Sequence, residues 1–174
     1  GYFKALYFRA EYFDLSQIGI FTLITANAMM ISPFSSLGSQ SSYIKFFPAF
    51  EEKDRNKFFS QLFMVAVCAN VLILLIGFLL KDFIEARYAN TSPQYLEFVL
   101  VTAIIIVVNS LFELLFSYSR SKLKVIFPTF LREIFLRAGS LVLAAGYGFN
   151  LWNFSTAAFG LGFLYLSALL LILL

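Results

Sequence analysis

Long apolar stretches separated by short polar segments set the pattern of this chain. A bilayer span takes about 20 mostly apolar residues. Segments 16–43, 58–80, 95–118, 127–149 and 151–174 meet that length, and residues 1–10 read as the tail of a further span. The expected fold is an all-α membrane protein of about six transmembrane helices, a single domain over 1–174 that is truncated at both ends. Punctuation agrees with these bounds. Asp14 or Ser16 can cap the second helix. Pro48 should stop a span, and Pro128 sits where one begins, a position at which a missing N–H costs nothing.

The segments differ in kind. Residues 58–80 are nearly pure hydrocarbon, whereas 16–43 carries Thr22, Thr25, Asn27, Ser32, Ser35, Ser36, Ser39 and Gln40. A helix that polar is poorly suited to face lipid. It is expected to line a wet internal cavity or to pack closely on neighbouring helices, and the two are compatible.

Composition removes the soluble alternative. Hydrophobic residues make up 60% and charged residues 13% of the 174, with mean hydropathy +0.83, against about 25% charged residues in a soluble domain. The 23 Phe and 9 Tyr suit lipid-facing walls and aromatic belts. There is no His, so the commonest general base and metal ligand is missing. Cys68 is the single cysteine and lies in an apolar run, which excludes a disulfide within the chain and predicts a buried, inert thiol. No CxxC, Walker-type loop or GxGxxG occurs. No metal, cofactor, nucleic-acid partner or covalent catalysis is expected, and the chain is not expected to be an enzyme.

Charge supplies an orientation. The 44–57 loop holds Lys45, Lys53, Arg55 and Lys57, and the 118–126 loop holds Arg120, Lys122 and Lys124. The opposite side has only Arg9, Lys81 and Arg87, so seven basic residues face three. The positive-inside rule places the two richer loops in the cytoplasm. They act as topology determinants, or attract anionic lipid or the phosphate of an incoming substrate.

The candidate functional residues are charges within spans. Arg137 lies about 15 Å beyond Phe127 on a helical rise, near the middle of a roughly 30 Å core. An Arg there is unfavourable by about 2.5–3.5 kcal/mol on insertion scales and needs compensation. Glu133 is one turn earlier on the same face. Glu113 and Arg132 stand at similar distances from the two ends of a short hairpin, which predicts similar depth. One reading is a structural cluster of Glu113, Arg132, Glu133 and Arg137 clamping two helices. The other is that Arg137, with Arg132, faces a hydrated cavity and grips an anion, for which the planar guanidinium is suited. Lys4 and Arg9 serve the same cavity or snorkel to the interface.

The run Leu37-Gly-Ser-Gln-Ser-Ser-Tyr-Ile-Lys-Phe-Phe-Pro-Ala-Phe50, followed by Glu-Glu-Lys-Asp-Arg, resembles bacterial polysaccharide-biosynthesis membrane proteins of the oligosaccharide flippase type. So do Tyr118-Ser-Arg-Ser-Lys-Leu-Lys-Val-Ile-Phe-Pro-Thr-Phe-Leu-Arg-Glu-Ile-Phe-Leu-Arg137 and the earlier Tyr12-Phe-Asp-Leu-Ser-Gln-Ile-Gly19. The resemblance implies most of the N-terminal lobe of a two-lobed transporter related to multidrug and toxin extrusion proteins, with the second lobe of the same chain missing here. It implies alternating-access transport of polyprenyl-diphosphate-linked oligosaccharide across the bacterial inner membrane, with helix 132–137 facing the central cavity. The expected partners are the bilayer and the lipid-linked glycan. Two alternatives stay open: a related exporter of cationic drugs, which would use Glu113 and Glu133, and a subunit of a membrane-embedded transferase.

Overall fold

The computed structural model describes residues 15–89, 92–122, 125–149 and 151–173, and among these every regular element is helical. The first helix, α1 (Leu15–Ser35), leads through a sharp break into α2 (Ser39–Phe46), which ends in a 3₁₀ turn at Phe47–Ala49. Next come the long α3 (Glu52–Leu79) and the short α4 (Lys81–Ala89). A 3₁₀ segment, Pro93–Phe98, runs directly into α5 (Val99–Ser121). The chain then forms α6 (Ile126–Phe130), a π-helical turn at Leu131–Phe135, and α7 (Leu136–Gly148), before closing with α8 (Phe154–Leu173).

Candidate spans can be counted among the described residues. Three helices are long and apolar enough to cross a membrane: Glu52–Leu79, Pro93–Ser121 and Phe154–Ile172. The bent pair Gly19–Ser35 with Ser39–Ala49 makes a fourth if its halves count together. The continuous α6–α7 segment covers the expected 127–149 span but falls outside this set, because Arg132, Glu133 and Arg137 interrupt its apolar run. The expected 1–10 span lies outside the described residues. The described residues thus hold three to four candidate spans, compatible with a multi-pass membrane protein.

Boundaries also move. The expected single helix 16–43 is split, with its halves bent by 50°. Leu37 (φ 47°) and Gly38 (φ 69°) both take the left-handed conformation. The hydroxyls of Ser35 and Ser36 donate to the carbonyls of Ser32 and Pro33, at 2.8 and 2.9 Å, and support the chain as it leaves the helix. The helix expected from 58 begins at Glu52, where Glu52 and Asp54 place negative charge at its positive end. Residues 81–89, expected as loop, are helical and joined by a Lys81–Glu85 pair at 3.5 Å.

α5 is the axis of the bundle and the most buried of the candidate spans. Its start packs with α1 and α8 in a cluster that includes Ile20, Ile24, Phe98, Val101, Ile105, Ala157 and Leu161. Its far end packs with α2 and α3 through Tyr43, Ala66 and Leu114, and with the π turn and α8 through Phe112, Leu131 and Ala168. The helices α7 and α8 approach closely because glycine lines their contact. A Cβ at Gly160 would meet a methyl of Leu143 at 2.7 Å, and Gly139 and Gly146 lie still tighter against Leu164 and Trp152.

Polarity is distributed inside out. On α1, Ser32, Ser35 and Ser36 are buried while Met29, Met30 and Phe34 are exposed. On α3 the buried residues are Ala66, Ala69 and Asn70, whereas Met64, Val71, Leu75, Phe78 and Leu79 point outward. A surface of that kind is stable against hydrocarbon and unstable against water. Cys68 follows the same rule: it is exposed on α3, not buried as its apolar context predicted.

Candidate functional site

The polar face of α1 packs on α5. Asn109 donates to Ser32 Oγ at 2.9 Å, joining the middle of α5 to the last turn of α1. Toward the opposite end from the basic loops, Asn27 donates to the hydroxyls of Tyr95 and Tyr88 at 3.0 and 3.3 Å, and Tyr95 donates on to Thr102 Oγ1. Of the two expectations for this helix, close polar packing is what the geometry displays. On the other flank, Asn70 of α3 donates to Ser110 at 3.1 Å and to its own helix at Ala66, while its Oδ1 is buried without a partner.

The charged quartet assembles across the α5–α6 hairpin. Arg132 Nη1 lies 3.2 Å from Glu113 Oε1, bridging the π turn to α5. Its Nε is 4.0 Å from Glu133, and Arg137 Nη2 is 2.6 Å from the other oxygen of Glu133. The order Glu113–Arg132–Glu133–Arg137 is thus a continuous chain of alternating charge. The π turn, a register in which each N–H reaches back five residues, occurs where these charges lie. The side chain of Glu113 is 24% exposed, those of Arg132 and Glu133 about half, and that of Arg137 64%. Burial therefore falls from α5 outward, and the second guanidinium stands at the outer edge of the network. Lys4 and Arg9 lie outside the described residues.

Two groups at the same end were not singled out from sequence. Phe116, one turn beyond Glu113 on α5, has the Arg132 guanidinium 5.6 Å from its ring centre and that of Arg120 at 6.0 Å. Its spacing of three from Glu113 and four from Arg120 already put the three on one helical face. Tyr43 is completely buried in an aromatic box with Phe47, Phe58, Phe59 and Tyr118. Spacing links only Tyr43 with Phe47, four residues on; Phe58 and Phe59 come from α3 and Tyr118 from α5.

Among the described residues no group of His, Cys, Asp or Glu could hold a metal ion. A groove of about 310 Å³ between α3, α5 and α8 is lined only by aliphatic side chains, including Leu74, Ile104, Val107 and Leu166. Comparison with protein families, curated proteins and solved structures found no match for this chain.

Proposed function

We propose that this chain is a lobe of a bacterial inner-membrane flippase that moves polyprenyl-diphosphate-linked oligosaccharide. The observation that carries the reading is the exposed guanidinium of Arg137, part-way along a helix whose neighbours Ile134, Leu141 and Val142 are also exposed and apolar. A cation at such a place needs water or an anion beside it. The sequence resemblance names the anion, a diphosphate. In this reading Glu133 holds Arg137 while the site is empty, and phosphate oxygens take over the planar fork when substrate arrives. The Arg132–Glu113 bridge keeps the helix aligned with α5 through the exchange. The π turn supplies a place where the helix can shift register by one hydrogen bond as the lobe moves during transport.

Export of small cations, the related alternative, needs a carboxylate able to receive them. Glu113 and Glu133 are each within ion-pair distance of an arginine, which disfavours that use.

The test is glycan export in cells that depend on the intact protein. Arg137→Ala should abolish export with the protein still inserted at normal levels, and Arg137→Lys should retain a fraction of it. Full export by Arg137→Ala overturns the reading.

A further inference from the structure

The two basic loops meet at one end of the bundle, and there their cations lie against aromatic rings. Arg55 stacks on Phe47 at 4.4 Å, Lys45 lies 5.5 Å from the centre of Phe46, and Lys122 lies 4.3 Å from that of Tyr118. Phe116 has two guanidiniums near its ring, those of Arg120 and Arg132. Next to this group, at the start of α6, Ile126 is 90% exposed and Phe127 52%. Exposed apolar side chains beside stacked cations are matched to one environment, the boundary where headgroups give way to acyl chains.

The charge balance at the hairpin has a definite sign. Glu113 and Glu133 are matched by Arg132 and Arg137, while Arg120 and Lys122 have no carboxylate partner among the described residues. The local group of four cations and two carboxylates therefore has two positive charges in excess. The ion pairs of Arg132 engage Nη1 and Nε, so a guanidinium with five N–H donors retains donors at Nη2. Both guanidiniums lie within 6.0 Å of one ring centre, that of Phe116.

We propose that Arg120 and Arg132, both beside Phe116, bind the phosphate of an anionic glycerophospholipid of the surrounding bilayer, with Ile126 and Phe127 seated among its acyl chains. Lys122 adds to the attraction from the same turn. The site belongs to the resting protein and does not depend on what the protein transports.

Brominated lipids quench a nearby indole and so report which lipid is adjacent. The native Trp152, in the turn between α7 and α8 at the other end, serves as internal reference, and Phe127→Trp adds a reporter beside the site. In vesicles of phosphatidylcholine containing one-fifth brominated phosphatidylglycerol, the added indole should be quenched several-fold more than by equal brominated phosphatidylcholine. The added charge changes Arg120→Gln and Lys122→Gln, which break no ion pair, should remove that preference while leaving quenching of Trp152 unchanged. Equal quenching by the two lipids, or a preference that survives both changes, would overturn the proposal. So would release of the lipid by inorganic phosphate but not by sodium chloride of equal ionic strength, which would assign the site to a soluble anion.

Discussion

Ser121, the last residue of α5, donates a hydrogen bond to the hydroxyl of Tyr43 on α2 at 3.3 Å, across 78 positions of sequence. Tyr118 and Asn56 make a second tie nearby at 3.4 Å. The 44–57 and 118–126 loops are therefore held at the same end of the molecule, as their shared basic character predicted. In a Cys68→Ser background, Lys53→Cys and Lys122→Cys should be labelled by an impermeant reagent from one side of the membrane only. Glu85→Cys should be labelled from the other. Labelling of positions 53 and 122 from opposite sides would contradict the packing.

The Arg132–Glu113 bridge is half exposed, between the cases of a surface pair and a fully buried one. Removing one partner by Glu113→Gln should destabilise the protein by about 1–3 kcal/mol, less than the penalty for a completely buried pair. The exchange Glu113→Arg with Arg132→Glu should recover most of the loss in denaturant unfolding in detergent. No recovery would mean that the two residues act independently.

Glycine contacts between α7 and α8 separate into two cases. At Gly146 an added methyl would strike the ring of Trp152, which is fixed by its N–H bond to the Leu143 carbonyl at 3.1 Å. At Gly139 it would meet only the flexible end of Leu164. Gly146→Ala should cost about 1–3 kcal/mol, and Gly139→Ala clearly less. At Gly77, with open space around it, alanine should be neutral or stabilising by up to about 1 kcal/mol. Thermal unfolding of the three variants should rank them in that order.

The break after α1 contains a leucine where glycine is better suited. Leu37, at φ 47°, carries the strain of a left-handed non-glycine residue. Leu37→Gly should raise stability by up to about 1 kcal/mol, the relief being partly offset by greater freedom of the unfolded chain. A fall in melting temperature would show that the exposed Leu37 side chain contributes more through its apolar contacts than its backbone conformation costs.

Much of this was legible in the chain because helix length and hydrocarbon content follow directly from residue order. The long spans α3, α5 and α8 were found within a few residues of their bounds, and the level pairing of Glu113 with Arg132 followed from counting along the hairpin. Other features left weak traces. The split at Leu37–Gly38 falls in a run of small residues that reads equally well as a tight helix interface. A π turn shifts one hydrogen-bond register and needs no particular residue, so Leu131–Phe135 looked like ordinary helix. Charges at Lys81, Asp82, Glu85 and Arg87 suggested loop, although their spacing also suits a helix outside the apolar run. Cys68 was misplaced for a deeper reason: an apolar neighbourhood implies burial only when water is the solvent. Whether Arg132 and Arg137 meet a substrate depends on surroundings beyond this chain's own packing, which residue order does not encode.

The inside-out polarity of α1 also has a timing aspect. Ser32 is synthesised 77 residues before Asn109, the side chain that finally donates to it. At ribosomal rates of about 5–20 residues per second, α1 waits roughly 4–15 s for its companion. During that interval its hydroxyls can turn back on their own helix, as Ser35 does on the Ser32 carbonyl and Thr25 on that of Phe21. A serine or threonine lodges its hydroxyl locally in this way, while the Asn27 amide on the same helix meets its tyrosine partners, Tyr88 and Tyr95, only 61 and 68 residues later. The hydroxyls of the early helix thus tolerate delay, and the late helix α5 brings the Asn109 amide that reaches Ser32.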